Sequence, residues 1–294
     1  MNIYAWWIAC RPNTLIISIA PVLLGLSLSY HDDKFSRPLV ALLTLIAAIL
    51  IQIGTNLIND LYDFISGADT KNRLGPIRAT QSGLLSKKQI KKGAFFCFFL
   101  SLITGIYLVY VGGTPILVIG LLSLISGYCY TAGPYPLAYN GLGDIFVFIF
   151  FGLIAVPGTY YLQSDVLFDI NSIIIGSSIG FLAVAVLCVN NIRDVQSDYK
   201  VGKKTLVVRF GVNKITILYD IMIMFSYLSI LIFLFRQGIY NELGILLLFL
   251  SMPIAIKLIT DIHKTSGKEL NVILYRTAIL IRTFSILLII GILV

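Results

Sequence analysis

Two short stretches hold the residue types with the most chemistry to offer. The first contains Asn56, Asn59, Asp60 and Asp63, the second Asn190, Asn191, Asp194 and Asp198. Spacing of i, i+3, i+4 and i+7 puts the first four side chains on one helical face. Asn191, Asp194 and Asp198 share that face geometry, with Asn190 on the adjoining edge. Each stretch thus presents a strip of oxygen ligands, and like charges along one face repel unless a cation lies between them. Oxygen-only sets without His or Cys favour a hard ion, Mg2+ or Ca2+, over zinc or copper. Mg2+ commonly bridges a few carboxylates to phosphates, so two facing acidic strips point to a metal-bound diphosphate. Lys71, Arg73 and Arg78 follow the first strip, and Lys200, Lys203 and Lys204 the second. Such cations suit phosphate oxygens and a departing anion. A plainer account makes each strip a solvated helix end, but two strips of matching chemistry on parallel helices weigh against it.

The elements that must position these strips are membrane spans. Of the 294 residues, 58% are hydrophobic and 12% charged, and mean hydropathy is +0.92, well above an ordinary globular domain. A span takes about 20 mostly apolar residues. Nine runs qualify, near 13–30, 38–58, 94–111, 115–131, 143–162, 172–190, 215–235, 243–260 and 276–294. The expected fold is an all-α integral membrane bundle of nine transmembrane helices. No Ser/Gly/Pro-rich linker divides it, so one domain covers 1–294. The first run follows Trp6, Trp7, Arg11 and Pro12 and exceeds signal-peptide length without a small-residue cleavage site, so it reads as a retained helix with the chain starting near Met1.

A net charge of +8 would suggest nucleic acid as partner of a soluble domain, but loop asymmetry explains it better here. Nine spans sort the loops into two sets. All but Lys34, Arg37, Arg236 and Arg282 of the 22 basic residues fall at the N-terminus or after even-numbered spans. The N-terminus and both polar stretches are therefore expected in the cytoplasm and the C-terminus outside, in a multi-pass cell membrane protein. Spans 2 and 6 are parallel, so their strips meet one membrane surface. A shift of 131 residues superposes Asn59 on Asn190, Asp60 on Asn191 and Asp63 on Asp194, which hints at duplication of a four-span unit with a ninth span added.

Other polar residues read more plainly. Cys10, Cys97, Cys129 and Cys188 lie singly beside apolar runs and suit core packing. His31 and His263 stand alone in loops. Asp69 and Asp144 suit a loop and a helix first turn, though either could reach the site. Tyr130, Tyr135 and Tyr139 flank the Gly133-Pro134 turn as interfacial aromatics, or set a ring beside a developing cation. Gln52 and Gln163 suit hydrogen bonds between helices. No Ser/His/Asp or Cys/His grouping offers a nucleophile.

NLINDLYDFISGAD from Asn56 to Asp69 resembles the first acidic motif of the UbiA family of intramembrane prenyltransferases, and NNIRDVQSD from Asn190 to Asp198 the second. WIACRPNTL from Trp7, GPIRATQSG from Gly75, YTAGP from Tyr130 and GKKTLVVRFG from Gly202 resemble further family segments. The likeness spans nearly the whole chain. Within the family, GPIRATQSG, NGLGDIFVFIFFG from Asn140 and VNNIRD look most like the branch that prenylates 1,4-dihydroxy-2-naphthoate. Gly67 departs from the pattern, since some relatives carry an acid there.

The resemblance implies a helical bundle around a central cavity. It implies transfer of a polyprenyl chain from its diphosphate to 1,4-dihydroxy-2-naphthoate, releasing CO2 and forming demethylmenaquinone. Carried over, Asn56, Asp60, Asp63, Asp194 and Asp198 would hold Mg2+ and the diphosphate, with Asn59, Asn190 and Asn191 as helpers. Arg78, Lys200 and Lys204 would bind phosphate, and Tyr130 would contact the cation or acceptor. The partners implied are polyprenyl diphosphate, a small aromatic acceptor and the lipid bilayer, with no nucleic acid and no obligatory protein partner. Two alternatives share these motifs: prenyl transfer to another acceptor such as 4-hydroxybenzoate or homogentisate, and a non-catalytic polyprenyl-phosphate transporter. Polar clusters at one membrane face, rather than mid-membrane, favour the enzyme.

Overall fold

The computed structural model describes residues 2–70 and 73–294. The start at Met1 and the phosphate role of Lys71 lie outside the described residues. Helices build the chain, and no strand occurs among the described residues. Helix α1 (Ile3–Cys10) begins where the Asn2 side chain accepts from the Ala5 N–H, and it exposes Tyr4 and Trp7 while burying Ala5 and Ala9. Arg11 turns the chain in the left-handed region. Pro12 then opens α2 (Pro12–His31), at a position where a missing N–H costs nothing. Pro38 does the same for α3 (Pro38–Ile65), whose last turns carry the first acidic strip.

Helix α4 (Lys87–Cys129) starts in a capping box formed by Ser86 and Gln89. Straight, its 43 residues would run about 65 Å, twice a hydrocarbon core. It folds back instead. Gly113 takes φ 66° and ψ −155°, which a residue with a Cβ would resist. The rings of Phe95 and Tyr128 come within 6.4 Å, where a straight helix would part them by about 50 Å. Eight helices among the described residues are long and apolar enough to cross a membrane. The expected nine treats 94–111 and 115–131 as separate spans, whereas both lie in α4, on either side of the break at Gly113. The outer face of α4 shows Phe95, Phe96, Phe99, Leu102, Ile103 and Ile106, an apolar belt suited to lipid.

The next crossing is α5 (Gly143–Val147), a π-helical stretch Phe148–Ile154 and α6 (Ala155–Ser164). Helix α7 (Ile170–Lys200) carries the second strip, followed by short α8 (Leu206–Phe210) and by α9 (Val212–Gln237). A 3-10 stretch Leu243–Ser251 leads into α10 (Met252–Ile262), and α11 (Leu270–Leu293) ends the fold. Gly152 in the π stretch meets Gly176 and Gly180 of α7 backbone to backbone; a Cβ on Gly176 would stand 2.1 Å from the Gly152 carbonyl oxygen. Such small-residue contacts let helices approach closely in lipid. Gly176→Leu should therefore lower stability by about 1–3 kcal/mol, seen as a lower thermal midpoint in detergent. An unchanged midpoint would contradict this contact.

Among the described residues three apolar clusters result, the smallest joining Val40, Ala47, Leu108, Ile116 and Leu162, and the two others flank the acidic strips. The larger joins residues of α2, α6, α7, α9, α10 and α11, and the smaller joins α1, α3, the 79–85 loop and the start of α4. Each acidic strip belongs to a different core, so their ends face each other across the seam. Cys188 is buried in the larger core, and all four cysteines are free thiols. The histidines are not alone as expected. His31 ends α2 with Nδ1 2.9 Å from the Ile292 carbonyl and Nε2 3.3 Å from Glu242, and His263 lies 2.7 Å from Asp220. Chain segments far away in sequence supply both acids, which local spacing cannot reveal.

Candidate active site

The face shared by the first strip divides into two tasks. Asn56 donates to the Cys10 carbonyl and to Thr14 Oγ1, both at 3.0 Å, and so ties α3 to the α1–α2 junction. One turn on, the Asp60 carboxylate accepts the backbone N–H groups of Ala79 at 2.9 Å and Thr80 at 3.0 Å. These bonds fix the loop beside Arg78. Asn59 and Asp63, also one turn apart, face a cavity at the seam. Asn59 accepts from Thr131 at 2.7 Å, and Asp63 accepts from the Tyr139 hydroxyl at 3.0 Å.

On α7, buried Arg193 organises the second strip. Its guanidinium donates to both oxygens of Asp194, at 2.8 and 2.6 Å, to Asn190, and to Asn271 of α11 at 3.0 Å. Arg73 reaches Asp194 at 3.7 Å and also pairs with Asp69, which in turn lies 3.2 Å from Arg78. Burial pulls Arg73 down to about 10, with Asp194 opposing that pull. Asn191 faces the cavity, and Asp198 is buried.

Lys203 joins the two strips. The chain leaves α7 through Gly202 with positive φ, and the Lys203 N–H bonds the Asp198 carbonyl at 2.9 Å, a glycine-terminated helix end. This turn returns the Lys203 ammonium to 3.5 Å from Asp198 and 3.8 Å from Asp63, and 5.0 Å from the centroid of the Tyr139 ring. Burial works against its charge, but Asp63 and Asp198 outweigh that and raise its pKa above the ordinary lysine value. Burial and Asp63 push Tyr139 up to about 12. Its hydroxyl therefore keeps its proton near neutrality and donates to Asp63.

Arg11, Arg78 and Lys203 all line the cavity. Among the described residues, Nε and Nη2 of Arg11 are buried without a hydrogen-bond partner, while Arg78 Nε has the Asp69 carboxylate 3.2 Å away. A buried guanidinium lacking acceptors is costly, and a polyanion would satisfy the Arg11 donors. The donor set also suits a hard divalent ion, because Asp63 and Asp198 already converge on one positive charge and the facing Asn side chains add only oxygen ligands. Among the described residues no three His, Cys, Asp or Glu side chains converge on one point.

The expected residues thus fall into distinct places. Asn59, Asp63, Arg78, Tyr130, Asn190 and Asn191 line the cavity, with Asp198 joined to it through Lys203. Asn56, Asp60 and Asp194 lie behind it, bonded to backbone or to Arg193. Lys200 and Lys204 are exposed, and the Lys204 N–H bonds the Tyr139 carbonyl at 2.8 Å. Spacing does not single out Lys203, Arg11, Arg193 or Asp144, although Gly202 past the helix end marks the turn that aims Lys203.

Comparison with known proteins agrees with this arrangement. A model described as the UbiA prenyltransferase family matches residues 18–277. The chain is 41% identical over 213 residues to 1,4-dihydroxy-2-naphthoate octaprenyltransferase of Escherichia coli, covering 70% of this chain and 68% of that one. It is 34% identical to the Haemophilus influenzae protein of the same name, covering 98% and 96%. The fold resembles that of a UbiA homolog from Archaeoglobus fulgidus bound to GPP and Mg2+, with TM-score 0.59, 18% identity, and coverage of 99% and 100%. This all-helical chain, with its two acidic helix ends facing one cavity, belongs to the UbiA prenyltransferase family.

Proposed function

We propose that this protein transfers a polyprenyl group from polyprenyl diphosphate to 1,4-dihydroxy-2-naphthoate, releasing diphosphate and CO2 and giving the demethylmenaquinone skeleton. One observation carries the reading: Asp63 and Asp198, from two different helix ends, share Lys203 within 4 Å, and Arg11, lining the same cavity, has two guanidinium nitrogens without an acceptor. The naphthoate acceptor rests on the relatives of that name. Arg11, Arg78 and Lys203 draw the diphosphate into the seam, and Asp63, Asp198, Asn59 and Asn191 give oxygen ligands for Mg2+. Asp60 and Asp194 keep lone pairs beyond their protein partners, and with Asn56 complete the set. Bound there, Mg2+ would neutralise the charge that develops on the leaving group. Lys203 and the arginines stabilise that charge from the protein side. The ring attacks the allylic cation, and Tyr130, which lines the cavity, offers its face to that cation.

The protein acts in the cell membrane with its N-terminus and both strips in the cytoplasm, its C-terminus outside, and no protein partner required. Lipid solubility of the prenyl chain suits that setting. Purified protein given prenyl diphosphate and Mg2+ should release labelled CO2 from carboxyl-labelled naphthoate, with 4-hydroxybenzoate at least about 100-fold slower. A preference for 4-hydroxybenzoate would replace the acceptor and leave the diphosphate site intact.

A further inference from the structure

We propose that Asp144 accepts the proton of the acceptor's hydroxyl and so makes its ring nucleophilic, an inference that rests on the acceptor reading above. Asp144 is buried in the first turn of α5 and lines the same cavity as Arg11, Arg78 and Lys203. Its situation differs from that of every other acid around the seam. Asp60 is held by two backbone N–H groups, Asp63 by Tyr139 and Lys203, Asp69 by Arg73 and Arg78, Asp194 by Arg193, and Asp198 by Lys203. Among the described residues Asp144 forms no ion pair within 4 Å; its carboxyl has a backbone hydrogen bond within its own residue, and its Oδ1 is buried with no hydrogen-bond partner.

An uncompensated buried carboxylate is costly, and such groups persist where a ligand completes them. Diphosphate does not serve as that ligand directly, because without a cation between them the two anions repel. A phenolic hydroxyl can, since it donates a hydrogen bond to a carboxylate and can pass its proton along it. The surroundings suit an aromatic ring. Leu187 of α7 lines the cavity, and Tyr130 sits so close to the start of α5 that a Cβ on Gly143 would lie 3.0 Å from its hydroxyl. The cationic wall thus takes the diphosphate, and the wall carrying Asp144 and Tyr130 takes the acceptor.

The step balances. The hydroxyl ortho to the carboxylate gives its proton to Asp144, and its electrons enter the ring as a carbonyl forms. The ring carbon bearing the carboxylate bonds to the allylic carbon, whose bond to the diphosphate oxygen breaks, and diphosphate leaves with that electron pair. The carboxylate is now β to a carbonyl and departs as CO2, leaving its electrons as an enolate. That oxygen takes the proton back from Asp144, which restores both the aromatic ring and the carboxylate.

The test pairs a change in the protein with a change in the acceptor. Wild type and Asp144→Asn are assayed with prenyl diphosphate, Mg2+, and either 1,4-dihydroxy-2-naphthoate or its 1-methyl ether, which has no proton to give at the oxygen ortho to the carboxylate. Asp144→Asn should lower kcat on the dihydroxy acceptor by about 100-fold while KM for prenyl diphosphate stays within about twofold. Wild type should discriminate between the acceptors by about 100-fold, and Asp144→Asn by less than about threefold. If Asp144→Asn does not fold, Asp144→Glu decides: discrimination kept supports the role, and discrimination lost in a folded variant overturns it. Undiminished discrimination in Asp144→Asn overturns the role alone. Wild type inert toward the naphthoate overturns the acceptor reading and this role with it.

Discussion

Asp63→Asn should lower kcat/KM for prenyl transfer by about 10³-fold while the protein stays folded. The exchange keeps shape and an acceptor for the Tyr139 hydroxyl, which lies 3.0 Å from Asp63, so the fold loses little. What it removes is one of the two carboxylates that share Lys203. Removing one preorganised electrostatic group at a developing charge costs about 2.7–4 kcal/mol in the transition state, and about 1.4 kcal/mol corresponds to tenfold in rate. Losing an oxygen ligand for Mg2+ adds to that. Steady-state kinetics in detergent, with the thermal midpoint as control, check this. Turnover within tenfold of wild type would remove Asp63 from the site.

Lys203→Met should lower kcat/KM for prenyl diphosphate by about 100-fold, whereas Lys200→Met and Lys204→Met should stay within about threefold, as exposed charges do. The contrast comes from the Gly202 turn, which buries one of three near-adjacent lysines between Asp63 and Asp198 and leaves its neighbours in solvent. Those acids hold the Lys203 pKa above its ordinary value. Its stabilising charge is complete below the ordinary lysine value of about 10.4 and is lost only as pH rises through the higher folded value. Lys203 therefore stays charged between about pH 6 and 9, and kcat/KM should show no alkaline loss from this group. Equal effects at all three lysines would show that net positive charge, and not this ammonium, binds the diphosphate.

The sequence made some of this legible and hid the rest for physical reasons. Apolar runs and the i, i+3, i+4, i+7 pattern are local, so the helices and both strips could be read directly. Which residues of a strip face the cavity could not. Asn56 and Asp60 turn to the α1–α2 junction and to the Ala79–Thr80 backbone, partners that only the tertiary fold supplies. The fold-back of α4 rests on one glycine in an apolar run, which helps explain how a count of spans and a count of helices differ by one. Arg193, beside Asp194 in the second motif, has the local signature of one more cytoplasmic-side cation, yet it holds Asn190, Asp194 and Asn271 together. Asp144 has the spacing of an ordinary helix-start acid. An Oδ1 buried without a hydrogen-bond partner sets it apart.

In the proposed reaction a metal-bound diphosphate is held between the two acidic helix ends during prenyl transfer. The most direct measurement follows diphosphate and CO2 together from purified protein given prenyl diphosphate and 1,4-dihydroxy-2-naphthoate. Equimolar release should require Mg2+, stop on addition of EDTA, resume with excess Mg2+, and be absent in both Asp63→Ala and Asp194→Ala. Release that continues in EDTA, or in either folded variant at the wild-type rate, would contradict it.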